Sequence, residues 1–304
     1  MGQKLVLSFV SLFFINLSSA TSATGHAPIG VMGDHYHKTN ERMISIRYSA
    51  MQMKGNTLHN NSISDQEIIT SQINPFASMP NAPTYLSVVP QKMDMQMMMV
   101  GGMYAYSDNL TYMGMLMFMK NKMTSNTYKG AMDRAYLGNF QTGLDDLSNF
   151  SFSALYKLTE TNDNRWHLEL GIDKSIGKNN NQDSMLTPMN TYMNMTMPYF
   201  MQMDESTKLI TALTNNRGSN GLVLGSQIKK YSVIREKDWS FGDKLEISSW
   251  LQKSYDDSLA LSIRLLFTKK QNLSGSSLEI KSPVQSANPC LLYTSDAADD
   301  YIRV

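Results

Sequence analysis

Period-two alternation of apolar and polar positions runs through the chain and never gives way to a helical period. Around Glu41 to Met53, Ile44, Ile46, Tyr48 and Ala50 alternate with Ser45, Arg47 and Ser49. From Arg165 to Ile176, Trp166, Leu168, Leu170 and Ile172 share one face and His167, Glu169, Gly171 and Asp173 the other. Lys244 to Lys253 sets Leu245, Ile247 and Leu251 against Lys244, Glu246 and Gln252. Leu259 to Thr268 sets Leu259, Leu261, Ile263, Leu265 and Phe267 against Ser262, Arg264 and Thr268. Each predicts a strand with one greasy and one wet face.

The connections alternate too. Short polar turns fall at Ser107-Asp108-Asn109, Glu160 to Asn164, Asn215 to Asn220 and Asp256-Asp257, and long polar segments near 54–91, 120–144, 177–204 and 231–243. Counted from Glu41, every short turn joins an even strand to the next odd one. This is the rhythm of an antiparallel up-and-down transmembrane β-barrel, whose periplasmic turns are short and external loops long. Tyr104, Tyr106, Tyr112, Tyr156, Trp166 and Tyr255 gather beside the short turns, where an interfacial aromatic girdle belongs. A soluble two-sheet sandwich would also alternate, with its apolar face turned to a core. Strand segments of roughly 9–11 residues and the strict loop rhythm favour the barrel. Nine strands are countable, and since bacterial barrels use an even number the intact fold is expected to have about 12.

Composition narrows the function. Charged residues make up 17% of the 304, against roughly 25% in ordinary globular chains. No run after Leu17 approaches the roughly 18 apolar residues of a membrane helix, and no basic stripe marks a nucleic-acid surface. Lys4, the apolar run Leu5 to Leu17 and the small residues up to Ala23 read as a signal peptide, residues 1–23, for export in a Gram-negative bacterium. Residues 24–40 form a periplasmic N-terminal segment and residues 41–289 the barrel. The string Cys290 to Asp299 matches the translation of a transposase adapter used in DNA library preparation, so residues 290–304 read as a non-native tail. Outside that tail the chain has no cysteine, which excludes disulfides and thiol chemistry.

Several strings resemble one family. Gly25 to His37, Lys92-Met93-Asp94-Met95-Gln96-Met97, Met103 to Asp108, and Leu144-Asp145-Asp146-Leu147-Ser148 before Ala154-Leu155-Tyr156 are similar to the outer-membrane transporter-like proteins grouped as "MetA-pathway of phenol degradation". The resemblance spans about Gly25 to Phe267. It implies a monomeric channel placed in the outer membrane by the insertion machinery, passing small hydrophobic or aromatic solutes.

Methionine is the sharpest compositional feature: of 25, 12 lie between Met93 and Met132 and seven between Met185 and Met203. Thioethers are soft ligands that suit Cu(I). Same-face neighbours along one strand are about 6.6–6.8 Å apart, too far to share an ion without a second strand. The strand methionines are therefore expected to face lipid or pack, leaving Asp94 and Gln96 to line the lumen with His167, Glu169, Asp173, Glu246, Gln252 and Arg264. The candidate metal ligands are His26, His35 and His37 before the first strand, and Met193, Met195 and Met197 in an external loop, where a bent backbone could converge sulfurs. Copper is the one cofactor the residues suggest. No nucleophile elbow, His-Glu-x-x-His pair, phosphate loop or dinucleotide fingerprint occurs, and the chain reads as non-enzymatic.

Overall fold

A computed structural model describes residues 27–28, 30–58, 61–74, 77–78, 82–130, 133–255, 260–271, 273 and 301–303. In chain order the elements are β1 (Arg42–Lys54), a short hairpin β2 (Asn56–Leu58) and β3 (Asn61–Ile63), helix α1 (Asp65–Ser71), β4 (Val88–Ser107), β5 (Leu110–Tyr128), β6 (Tyr136–Glu160) and β7 (Asn164–Ser175). There follow a second short hairpin, β8 (Gln182–Leu186) and β9 (Tyr192–Thr196), then β10 (Ser206–Ser219), β11 (Leu222–Glu236), β12 (Lys244–Ser254), β13 (Ala260–Lys270) and β14 (Tyr301–Arg303).

Nine long strands make one antiparallel meander, β1-β4-β5-β6-β7-β10-β11-β12-β13, curled into a half-barrel. The fold is all-β and barrel-like, as the alternation predicts. Among the described residues β1 pairs only with β4, so β1 and β13 do not meet. The far side of β13 pairs with β14, Leu265 opposite Ile302. Those three residues fall within 290–304, the stretch that reads in sequence as a non-native tail, and they pair with the backbone donors and acceptors of the β13 edge.

The two faces of the sheet are inverted relative to a water-soluble protein. The convex face carries an exposed apolar band: Ile44 and Ile46 on β1, Leu168, Leu170 and Ile172 on β7, Leu224 and Ile228 on β11, Ile263, Leu265 and Phe267 on β13. The concave face buries polar groups, among them Thr111, His167, Glu169, Thr214, Gln227, Lys229 and Gln252. Tyr104, Tyr106 and Tyr156 are exposed on the convex face near the short-turn end, with Tyr255 in the turn after β12. Tyr112 stacks on Phe152 with ring centres 5.8 Å apart.

Some expected connections are partly strand instead: β10 runs through the expected turn at Asn215 to Ser219, β11 through the expected loop from Tyr231 to Glu236, and 120–144 is the largest case. The polar stretch 120–144 continues the sheet, β5 running to Tyr128 and β6 starting at Tyr136. Lys120, Lys122 and Thr124 alternate there with the buried Asn121, Met123 and Ser125. The convex face has turned polar while the concave face stays packed, so polarity alone mimics a loop. The 55–87 connection carries α1, capped by a reciprocal Ser64–Glu67 box, with Ile68 and Ile69 packed on Leu86 and Val89.

Candidate functional site

The register of β1, β4 and β5 determines where the methionines point. Residues opposite one another in an antiparallel pair share a face. Met53 is opposite Met93 and Met93 opposite Met123; Met43 is opposite Met103 and Met103 opposite Met113. Between these two rows Met51 pairs with Met95, Met97 with Met119 and Met99 with Met117. All lie on the concave face, because the alternate positions of β1 carry the exposed Ile44, Ile46 and Tyr48. Of the expectation that these methionines face lipid or pack, packing holds and the outward face does not, and Asp94 and Gln96 are corrected to the convex face. Asp94 pairs with Lys92 at 2.8 Å and accepts from Gln52, and with Gln96 and Lys122 it borders a shallow cleft of about 320 Å³. They sit above the apolar band, where the convex face is polar.

The long connection between β7 and β10 folds down onto this wall. Met185, Met197, Met201 and Met203 are buried in one cluster with Met93 and Met123, and Met53, Met95, Met119 and Met195 pack against it. Polar anchors hold it to β6: Asn181 Nδ2 donates to Gly143 O at 2.8 Å, Gly143 N donates to Asp183 Oδ2 at 2.8 Å, and Lys178 N donates to Asp146 Oδ2 at 2.8 Å. Gln202 Nε2 donates to Met197 O within the connection. Met193 on β9, opposite Met185, is exposed and not packed in this cluster.

The opposite wall is polar and is filled by the segment before β1. Gly33 accepts from His167 Nε2 at 2.8 Å, Asn216 Nδ2 donates to Asp34 O at 2.8 Å, and Gln227 Nε2 donates to Met32 O at 3.1 Å. His37 N donates to Thr111 Oγ1, and Arg47 Nη1 to Val31 O. The segment thus draws partners from β1, β5, β7, β10 and β11, as a plug seated in the concavity would. Its glycines are required. Gly30 (φ +100°) and Gly33 (φ +68°) adopt left-handed backbone, and a Cβ on them would stand 2.6 Å from Arg264 Nη1 and 2.7 Å from Glu169 Oε2.

Beneath the plug Glu169 and Lys229 form a buried ion pair at 2.9 Å. They lie on β7 and β11 with β10 between them, Glu169 opposite Ala212 and Ala212 opposite Lys229. The alanine leaves room for the two long side chains to meet above it.

Of the other lumen residues expected from sequence, Asp173 accepts from Asn149 Nδ2, Glu246 pairs with Lys244 at 3.1 Å, Gln252 is buried, and Arg264 reaches the plug at Gly30. His26 lies outside the described residues. His35 and His37 meet edge to face at 4.8 Å, each beside a carboxylate, Asp34 at 3.0 Å and Glu41 at 3.3 Å. Burial first, and His35 second, hold the His37 imidazole below its ordinary value. Among the described residues no three His, Cys, Asp or Glu side chains converge as a metal group. Sequence reasoning did not pick out Arg47, Thr214, Asn216, Gln227 or Lys229. The last two sit at alternating wet positions of β11, and that signal could have found them.

No protein-family model matches the chain, and no curated protein matches it. Fold and site define a barrel-like all-β protein with an apolar exterior and an interior split between a thioether wall and a plugged polar wall.

Proposed function

We propose that the chain is an outer-membrane channel that passes small hydrophobic or aromatic solutes by diffusion. The observation that carries this is the inversion of the sheet, with an exposed apolar band across the convex face and a concave face that buries charged and hydrogen-bonding groups. Lipid satisfies such an exterior, and exposed apolar area on this scale marks a membrane surface. The convex apolar runs Met98 to Tyr106, Leu110 to Phe118 and Phe150 to Leu158 each cover about 26 Å along the strand, enough for most of the band when tilted. The interior supports the solute class. Thioethers make favourable contacts with aromatic ring edges, and the polar wall opposite solvates a hydroxyl or carboxylate on the same molecule. The signal-like N-terminus and the family resemblance agree with this location and role.

The test is swelling of liposomes containing the refolded chain in isosmotic benzoate and in a sugar of similar size. Faster entry of benzoate than into protein-free liposomes is expected, with the sugar slower. Absence of any solute passage would refute the proposal.

A further inference from the structure

The methionines are segregated in a way that hydrophobicity does not explain. Where the strands expose apolar side chains on the convex face they use Ile, Leu, Phe and Tyr, and Met98 is the single exposed strand methionine there among the described residues. On the concave face of β1, β4 and β5 the large apolar positions between Met43 and Met123 are methionine. Burial alone would be served equally by leucine, which does not oxidise. A selection for sulfur over branched carbon points to a ligand for sulfur.

We propose that the row Met53, Met93 and Met123, with Met197 and Met201 above it, binds a soft monovalent cation, Cu(I). Directly opposed side chains on adjacent strands have Cβ atoms about 4.5–5.5 Å apart, within the reach of two thioethers on one ion. Three strands in register supply three directly opposed methionines on one face, which a single strand cannot do. The connection between β7 and β10 adds Met197 and Met201 to the same buried cluster. Phe140 and Leu144 pack in the same cluster, the buried Thr142 and Asn121 add only neutral polar groups beside Met123, and among the described residues no three His, Cys, Asp or Glu side chains converge there, so the donor set is dominated by thioethers and favours a soft ion over the harder divalent ones. The second row, Met43, Met103 and Met113, is closed by Leu155 instead of further sulfur and is the internal control. The row lies on the same thioether wall that the proposed function sets against aromatic solutes, and copper binding is read separately from solute passage, so either reading can fail alone.

The refolded chain in detergent is titrated anaerobically with Cu(I) against a chromophoric Cu(I) chelator. The chain should withdraw about one equivalent, and replacing Met53, Met93 and Met123 together by leucine should weaken binding about a hundredfold. Leucine at Met43, Met103 and Met113 should leave it unchanged. No withdrawal of Cu(I), or equal binding by both variants, overturns the proposal. A second readout needs no variant: Ag(I) should protect Met53, Met93 and Met123 of the unmodified chain from peroxide oxidation, read residue by residue by mass spectrometry. Met98 on the convex face serves as the unprotected reference. Protection absent from the row overturns the site even if every variant misfolds.

Discussion

Replacing Lys229 by methionine removes one half of the buried ion pair and leaves Glu169, with no exposed surface, facing Gly33 across the plug. The carboxylate is fully desolvated and its partner 5% exposed, so the pair belongs to the class where loss of one partner costs about 3–5 kcal/mol. That is roughly two to three and a half powers of ten in the folded-to-unfolded ratio. An exposed pair of the same geometry would be worth about 0–1 kcal/mol. Glu169→Gln strands the ammonium in turn and should cost a similar amount, whereas the double variant removes both charges and should lose less than the two singles combined. The assay is urea unfolding of the chain in micelles, followed by tryptophan fluorescence, since Trp239 and Trp250 are buried. Single variants within 1 kcal/mol of the parent, with no coupling in the double, would show that water reaches the pair and that the plug does not seal it. The same geometry means Glu169→Gln perturbs assembly, and a change of solute preference alone is not expected.

Leu170→Arg places a charge on the convex apolar band and should cost about 2–4 kcal/mol if that band meets the bilayer centre, read as loss of folded protein in liposomes but not in micelles. Equal yields in liposomes would refute the assignment of the convex face to lipid. The lowered value of His37 makes seating of the plug dependent on pH. Its neutral form is favoured in the fold, so the stability it contributes is complete above the ordinary value of 6.5 and is lost as pH falls below it. Protease cleavage of residues 27–38 should rise from pH 7 to pH 5, and His37→Gln should flatten that rise; an unchanged profile in the variant would assign the acid sensitivity elsewhere.

Much of this was legible in the order of residues. A side-chain period of two follows from strand geometry, so alternation identified the strands, and turn residues separated them. On β7 and β13 one alternate set is aliphatic and the other polar, and there the sequence determined by itself that Leu170 and Ile263 face out and Glu169 and Arg264 face in. On β4 it could not. Met93, Met95 and Met97 alternate with a mixed set that starts polar at Asp94 and Gln96 and becomes apolar at Met98 and Val100. Period two states which residues share a face, never which face is concave. Pairing with β1, whose Ile44 and Ile46 are unambiguous, decided it and turned the methionines inward. The Glu169–Lys229 pair was equally invisible, because it crosses three strands and depends on the small volume of Ala212 between them. So was the seating of Gly30 and Gly33, whose left-handed backbone answers to Arg264 and Glu169, far away in sequence. Local chemistry determined the strands; register and curvature, which are non-local, decided what the barrel encloses.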